Sequence, residues 1–211
     1  MKKYKILSVL VMCLSSLMMV SCLGDDDEDS SVLTAQQRAA CLAKVKGEYS
    51  GWMLHNGEAA SEASSLSTVK VDTTQIRFSI NGDTTLTVYD IPSSAFAVNV
   101  TDPSLKTALC EQENVDLTAD IYFYKADPVS FLLDPVTINY NLTYDGVPHK
   151  VSVVFYVNSY YSWGVYKASD SGRGLINMQI VQAAVYVDEN TARTNMTTSS
   201  PFAIVNYMTS Y

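Results

Sequence analysis

Apolar and polar residues alternate with a period of two over much of the chain after residue 47. In the first such run Tyr49 and Met53 share one face, and in a later run Tyr140 and Leu142 do so. Successive side chains of a β-strand point to opposite faces of the sheet, so this period predicts strands with one buried face. Besides the hairpin strands discussed next, strands are predicted over residues 66–71, 117–125, 161–168, 175–187 and 202–208.

The first hairpin is predicted to turn at Asn-Gly-Asp, residues 81–83. A two-residue loop there would mix the apolar and polar faces of the two strands. A three-residue loop with a glycine bulge instead pairs Phe78 with Leu86 and Ile76 with Val88, which leaves one face apolar.

A second hairpin is predicted to turn at Asp-Gly-Val-Pro, residues 145–148. Because Pro148 has no N–H to donate to a ladder, a four-residue loop is favoured. That loop would pair Leu142 with Val151, and both side chains would face the core.

Two short helices accompany the strands. The first begins at a capping box formed by Thr34 and Gln37 and ends at Gly47. A second is predicted over residues 103–112, with Asp102 as its N-cap and a proline in first position. The apolar stripe of the first helix is predicted to consist of Ala39, Leu42 and Val45, with Cys41 beside them.

These elements predict a mainly β fold, either an antiparallel β-barrel or a β-sandwich, with a short N-terminal helix and one additional short helix. Fourteen tyrosines and recurrent Val and Thr are typical of β proteins. No Pro/Gly/Ser-rich linker divides residues 31–211, so this part of the chain is predicted to be one β-rich domain.

The first 21 residues have the layout of a signal peptide. Lysines at positions 2, 3 and 5 precede an apolar run over residues 6–20. The segment MVSC at residues 19–22 then resembles a bacterial lipobox, which implies that Cys22 is lipidated and becomes the mature N-terminus. A lipobox usually has Leu where Met19 stands, so a secreted protein or an uncleaved anchor is the alternative.

Five acidic residues follow at positions 25–29. Like charges repel one another and stay hydrated, so residues 22–30 are predicted to be the lipidated Cys22 and an extended acidic tether. This run also resembles the surface-export signal of Bacteroidetes lipoproteins. The resemblance implies an outer-membrane lipoprotein that faces the cell exterior.

The charge balance narrows the range of partners. The chain has 14 basic and 22 acidic residues, and removal of the signal would take three of the lysines. No basic cluster remains, which argues against nucleic-acid binding and against an electrostatic grip on anionic lipid. Membrane attachment is therefore assigned to the acyl chains on Cys22.

Short motifs carry a further resemblance. The segment KGEYSG at residues 46–51, and DIPSS at 90–94 leading into LKTAL at 105–109, are similar to a group of uncharacterised Bacteroidales lipoproteins with a domain of unknown function. Several of those proteins have calycin-like β-barrels. The resemblance implies a calycin-like barrel and an envelope location, and it implies no catalytic residues.

The sequence favours no enzyme, metal centre or cofactor. Neither His55 nor His149 has metal-ligand spacing around it, and no Gly-x-Ser-x-Gly motif occurs. Asp116 and Asp120 would share one face of a strand. A glycosidase pair or a calcium site there would need a cleft or further ligands, so a solvated acidic face is the favoured interpretation.

Cys41 and Cys110 remain after processing. In an exported protein they could form a disulfide, because both are placed on short helices near one end of the fold. Two free thiols are the alternative.

Exposed aromatic rings are the best candidates for binding. Such rings can stack on sugar faces or lipids at the mouth of a pocket, although aromatic residues on strands also serve core and cross-strand packing. The candidate ligand-stacking residues are Trp52, Tyr160, Tyr161, Trp163 and Tyr166.

Two segments, Asp-Thr-Thr at residues 72–74 and again at 83–85, resemble the acceptor motif of Bacteroidetes protein O-glycosylation. Thr73 and Thr84 are the candidate acceptors. Ordinary turn chemistry is the alternative.

Two functions are consistent with these features. The first is a non-catalytic surface module that takes a glycan, lipid or peptide into the mouth of a barrel. The alternative is a structural or interaction lipoprotein whose partner is another envelope protein. An open cavity lined by aromatic rings would favour the first, and a filled interior with an exposed apolar patch would favour the second.

Overall fold

The structure is a computed structural model that describes residues 32–57, 71–169 and 172–206. The predicted signal peptide, the acidic tether and Cys22 lie outside these ranges. So does almost all of the strand predicted over residues 66–71.

The described residues form ten strands and three short helices. The α-helices are α1 (Ala35–Val45) and α2 (Pro103–Cys110), and a 3₁₀ helix spans Ser93–Phe96. The strands are β1 (Gly47–Asn56), β2 (Val71–Ile80), β3 (Thr85–Ile91), β4 (Val115–Ala126), β5 (Val129–Pro135), β6 (Ile138–Tyr144), β7 (Val147–Phe155), β8 (Trp163–Ser169), β9 (Gly172–Val187) and β10 (Ser200–Asn206).

Eight of these strands close into an antiparallel barrel in the order β1-β2-β3-β4-β5-β8-β9-β10. The seam is β10, in which Ile204 lies opposite Met53 of β1 on one side and Met178 of β9 on the other. The predicted barrel is therefore confirmed, and the sandwich alternative is wrong.

The remaining two strands form a hairpin on the long strand β9. The first half of β9 pairs with β8, and its last residues, from Gln182 to Val187, pair with β7. Since β6 pairs only with β7, this hairpin extends the sheet beyond the closed barrel.

Side chains from the barrel strands and the helices fill the interior as one continuous core. Phe96 of the 3₁₀ helix meets the ring of Phe155 edge-on at 6.1 Å and that of Phe202 at 5.4 Å. Cys41 and Val45 of α1 are buried in the same cluster. The barrel is therefore a packed structure in which aromatic and aliphatic side chains occupy the inside.

Two glycines mark places where other groups approach the wall closely. A Cβ on Gly51 would lie 2.1 Å from the carbonyl oxygen of Val205, and one on Gly164 would lie 2.2 Å from the ring of Phe131. At both positions only the absence of a side chain allows the observed packing.

The first hairpin has the predicted faces but a different register. Phe78 lies opposite Val88 rather than Leu86. The loop still has three residues, yet they are 82–84, because Thr84 takes the left-handed conformation (φ 66°) and Asp83 Oδ1 accepts from the amide of Thr85 at 3.3 Å. A shift of two residues keeps every side chain on its predicted face.

The second hairpin was predicted with the wrong loop. Asp145 and Gly146, with φ of 50° and 78°, form a two-residue turn of the type that Asp-Gly favours, and Leu142 therefore faces His149. Pro148 is tolerated within β7 because it lies beyond the Val151–Val187 pair, the last between β7 and β9.

Both predicted helices are confirmed. The capping box of α1 is present in full, with Gln37 N donating to Thr34 Oγ1 at 3.2 Å and Thr34 N to Gln37 Oε1 at 2.8 Å. Asp102 accepts from two amides of α2. The predicted stripe of α1 is wrong at Ala39, which is exposed, since the helix buries Cys41 and Val45, four residues apart.

Candidate functional site

Aromatic and apolar side chains line up across the outer face of three neighbouring strands. In the register of the sheet Tyr122 of β4 lies opposite Leu132 of β5, and Leu132 lies opposite Trp163 of β8. The residues that alternate with them, such as Phe131, belong to the core, so this row faces outward.

The loop between β7 and β8, which leads directly into Trp163, carries three more rings. Its Tyr156 and Tyr161 stack with ring centroids 4.5 Å apart. We call the set formed by the row and the loop the aromatic wall, and its members are Tyr122, Leu132, Tyr156, Tyr160, Tyr161 and Trp163.

Hydrogen bonds hold this loop against the barrel. Gln179 of β9, which lies opposite Trp163, donates from Nε2 to the carbonyl oxygens of Tyr160 at 3.4 Å and Tyr161 at 3.2 Å. Within the loop, Ser162 N donates to the carbonyl of Asn158 at 2.9 Å. The loop backbone is thereby placed over Gln179, beside Trp163.

Exposure differs sharply within the aromatic wall. Tyr160 is 78 % exposed and Tyr122 is 54 % exposed, whereas Trp163 is only 8 % exposed although it faces outward. The indole Nε1 of Trp163 is buried and has no hydrogen-bond partner. The wall thus combines open tyrosine rings with one covered and unsatisfied donor.

The structure brings together three of the five predicted stacking residues, namely Tyr160, Tyr161 and Trp163. Trp52 is exposed on β1, but β10 and β9 lie between β1 and β8, so it is not part of the wall. Tyr166 does not join the wall either, because its side chain packs against the core.

Sequence reasoning missed Tyr122 and Tyr156. The alternation in β4 indicated that Tyr122 faces outward, but its proximity to Trp163 depends on β5, which was not predicted. Tyr156 follows directly after the last residue of β7, and only the folded loop brings its ring to Tyr161.

A second polar region lies at the tip of the β6–β7 hairpin. His149 Nδ1 is 2.8 Å from Asp188 Oδ2, and the amide of Lys150 donates to Asp188 Oδ1 at 3.0 Å. These two hydrogen bonds, that of His149 foremost, lower the pKa of Asp188. The ring of Tyr144 stacks on that of His149 at 4.2 Å, and burial and nearby carboxylates raise the pKa of Tyr144.

Two open clefts flank this pair. One, of about 490 Å³, lies along the hairpin, and the other, of about 710 Å³, has Asp102 and Arg193 among its lining residues. Asp188 and Glu189 between them both adopt left-handed conformations, with φ of 52° and 61°. The chain makes a tight turn here, and its carboxylates serve to fasten the hairpin to β9.

The candidate cysteines do not form a disulfide with each other. Cys41 is a buried free thiol on α1, and Cys110 lies exposed at the end of α2. The free-thiol alternative describes Cys41.

The two candidate O-glycosylation residues have different settings. Thr73 is exposed but lies within β2, where it faces Leu54 of β1, rather than in a turn. Thr84 lies in the first hairpin loop, and its hydroxyl donates to the carbonyl of Asp83 at 2.5 Å.

The candidate titratable residues have structural roles. His55 Nδ1 lies 2.9 Å from the carbonyl oxygen of Asn56, and its Nε2 lies 3.3 Å from Thr74 Oγ1. Asp116 and Asp120 are exposed on β4, and Asp116 accepts from the amide of Asp90 at 3.0 Å. Across the described ranges, no three His, Cys, Asp or Glu side chains are grouped so that they could hold a metal ion.

Among the helices of the described part of the chain, none combines the length and the apolar composition needed to cross a bilayer.

Comparison with known proteins identifies a family but no individual relative. No curated protein and no solved structure matches the chain. The model of one family, described as a domain of unknown function (DUF4840), matches residues 44–187, from the end of α1 to the last residue of β9. Because this match covers more than half of the 211 residues, the chain belongs to the DUF4840 family.

Proposed function

We propose that this chain is a non-catalytic binding module of the cell envelope, and that it binds a glycan on the outer face of its barrel. In this proposal the protein is an outer-membrane lipoprotein of the Bacteroidales type, anchored through Cys22 and facing the exterior. The observation that carries the proposal is the aromatic wall, in which tyrosine rings stand exposed outside a barrel whose interior is already filled.

Because the interior is filled, we place the binding site on the outer surface of the barrel rather than at its mouth. Barrels that hold a ligand inside leave room for it, whereas here the rings of Phe78, Phe96 and Phe131 are all fully buried in the core. The inward-facing positions are therefore assigned to stability, and the binding role falls to rings such as Tyr122 and Tyr160.

The chemistry of the wall favours a glycan. Tyrosine offers a flat apolar face for the C–H side of a sugar and a hydroxyl for its polar edge, and fixing its ring costs little rotamer entropy. The loop supplies three such rings, two of them stacked. With no basic cluster in the chain after the signal, a strongly anionic partner is disfavoured.

Affinity electrophoresis tests this proposal with the mature protein purified in detergent. Gels that contain xylan, mannan, pullulan or mucin should retard the protein on at least one glycan. The double variant Tyr122→Ala/Tyr160→Ala should lose most of that retardation. Tyr186→Ala is the matched control, because Tyr186 lies on β9 opposite Ser152, outside the wall. Equal loss in the control would contradict the assignment.

The anchor has a separate test. Replacing Cys22 by serine removes the lipidation site, so the protein should leave the membrane fraction and appear in the soluble one. On intact cells, the wild-type protein should be removed by added protease. Resistance to protease would contradict an exterior location.

A structural or interaction lipoprotein is the second candidate. The specific observation in its favour is the combination of a filled interior with exposed apolar surface on the wall and beside it, where Val157 of the β7–β8 loop is exposed. If no glycan retards the protein, but Tyr122→Ala/Tyr160→Ala weakens co-purification with one envelope protein, this second function replaces the first.

A further inference from the structure

Trp163 carries a hydrogen-bond donor that the fold buries and does not use. Its side chain faces outward from β8, lies outside the main core, and is 8 % exposed. Its Nε1 has no partner. Most buried side-chain polar atoms in proteins have a hydrogen-bond partner. An indole N–H without one, on the outer face of the barrel, is therefore a candidate donor to an acceptor on a bound molecule.

The loop next to this donor is held to β9 by two replaceable contacts. The backbone of Tyr160 and Tyr161 is bonded to the Gln179 side chain through distances of 3.4 and 3.2 Å, at the long end for N–H···O bonds. The ring of Tyr160 is largely in solvent. The two ends of the loop stay tied to the sheet, because Tyr156 N donates to the carbonyl of Val181 and Leu133 N donates to that of Ser162, both at 3.0 Å. Lifting Tyr160 and Tyr161 off Gln179 would therefore break the two long bonds and leave these end contacts in place.

We propose that Trp163 is the floor of a carbohydrate subsite that the β7–β8 loop covers. When the loop lifts, one face of the indole takes the C–H face of a sugar ring, and Nε1–H donates to a sugar oxygen. The same movement frees the amide of Gln179, directly opposite Trp163, for the sugar hydroxyls. This inference rests on the proposed glycan function and names its binding subsite.

Carbohydrate fits this site better than the other candidate ligands do. A saturated lipid chain could cover the indole but has no acceptor for its N–H. A sugar presents an apolar face and ring-edge oxygens within one small rigid unit, which matches an indole beside a carboxamide.

The chain contains two tryptophans, so Trp52→Phe makes Trp163 the single fluorescent indole of the mature protein. Acrylamide quenching of this variant reports the cover. Adding Gln179→Ala should raise the quenching constant at least twofold, because the loop loses its clamp. An unchanged quenching constant would show that the loop is not the cover, and would overturn the inference.

Binding is then measured with the same four glycans, xylan, mannan, pullulan and mucin. The glycan that retards the protein should shift the Trp163 emission in the Trp52→Phe variant. Trp163→Phe keeps a ring at this position and removes the N–H, and we expect it to weaken binding about tenfold, as the loss of one hydrogen bond would. Thermal unfolding of each variant verifies that it folds.

The outcomes separate the two proposals. If glycan binding persists in Trp163→Phe with unchanged affinity, the indole N–H faces an ordered water only; the subsite is then wrong, while the aromatic wall remains the binding surface. If none of the four glycans is retained, the proposed glycan function fails, and the subsite fails with it.

Discussion

The inside and the outside of the barrel wall use the same aromatic residues in opposite ways. Inside, Tyr49 stacks on Phe78 at 4.9 Å and its hydroxyl donates to the carbonyl of Val45 at 2.6 Å, so both ring and polar group are satisfied. Outside, Tyr122 and Tyr160 present open faces, and Trp163 holds an unused donor. The inner rings are fully packed in the folded chain, whereas these outer rings keep open faces.

The largest expected difference between the two faces is in stability. Phe131→Ala removes a fully buried ring from the core and should lower the free energy of unfolding by about 3–5 kcal/mol. Tyr122→Ala, on the opposite face of β4 from its core neighbours and half exposed, should change it by no more than about 0.5 kcal/mol. Urea titration of both variants measures the two free energies of unfolding. Comparable losses in the two variants would contradict the proposed difference between the faces.

A smaller loss of stability is expected where the backbone of β8 approaches a core ring. Gly164→Ala would place a Cβ 2.2 Å from the ring of Phe131, so the ring must move, at a cost of about 1–3 kcal/mol. Gly82→Ala, in an exposed turn where the nearest atom is the end of the Lys46 side chain, serves as the control. Thermal unfolding should show a lower melting temperature for Gly164→Ala than for Gly82→Ala. A Gly164→Ala protein as stable as the wild type would mean that the core around Phe131 has room for an extra methyl group.

Alkaline pH should lower the stability of the protein through a buried tyrosine, Tyr140. Burial raises the pKa of Tyr140 above its ordinary value, an effect only partly offset by its hydrogen bond with Ser93. The folded state therefore holds this proton more tightly than the unfolded state. The contribution of protonated Tyr140 to the free energy of unfolding is fully present below pH 10. It is lost as the pH rises through the pKa that Tyr140 has in the folded state.

Unfolding measured between pH 8 and pH 11 tests this dependence. Tyr140→Phe should make the stability curve flatter at the alkaline end, although it also removes the contact with Ser93. A curve as steep as that of the wild type would assign the dependence to another tyrosine, of which Tyr144 is the first to consider.

The smallest expected effect concerns an unused polar group on the inside. Ser200 Oγ and, on the residue opposite, Gln182 Oε1 are both buried without a partner. Ser200→Ala removes a hydroxyl that makes no bond, so stability should stay the same or rise by up to about 1 kcal/mol. Denaturant unfolding measures this, and a clear loss would mean that a water bridges the two groups.

The faces of the sheet could be predicted from the sequence better than its pairings. In both hairpins the apolar side was assigned correctly, because alternation alone decides it. The register was wrong in both, because a shift of two residues leaves each face unchanged. The left-handed conformations of Thr84 and Asp145 decide the pairing, and they depend on the folded turn.

The candidate site depends even more on long-range pairing. Tyr160, Tyr161 and Trp163 are close in sequence and could be proposed as a group. Tyr122 joins them only through β5, a short strand whose alternation is broken by the apolar Leu132.

The seam formed by β10 has a consequence for how the protein is made. β1 and β9 both complete their hydrogen bonding on residues 200–206, so the barrel cannot close until these residues have been synthesised. Until then the nascent chain carries two open strand edges, which invite pairing with other chains. A gene product truncated before Ser200 would retain the whole region matched by the family, residues 44–187, yet it would be prone to aggregation.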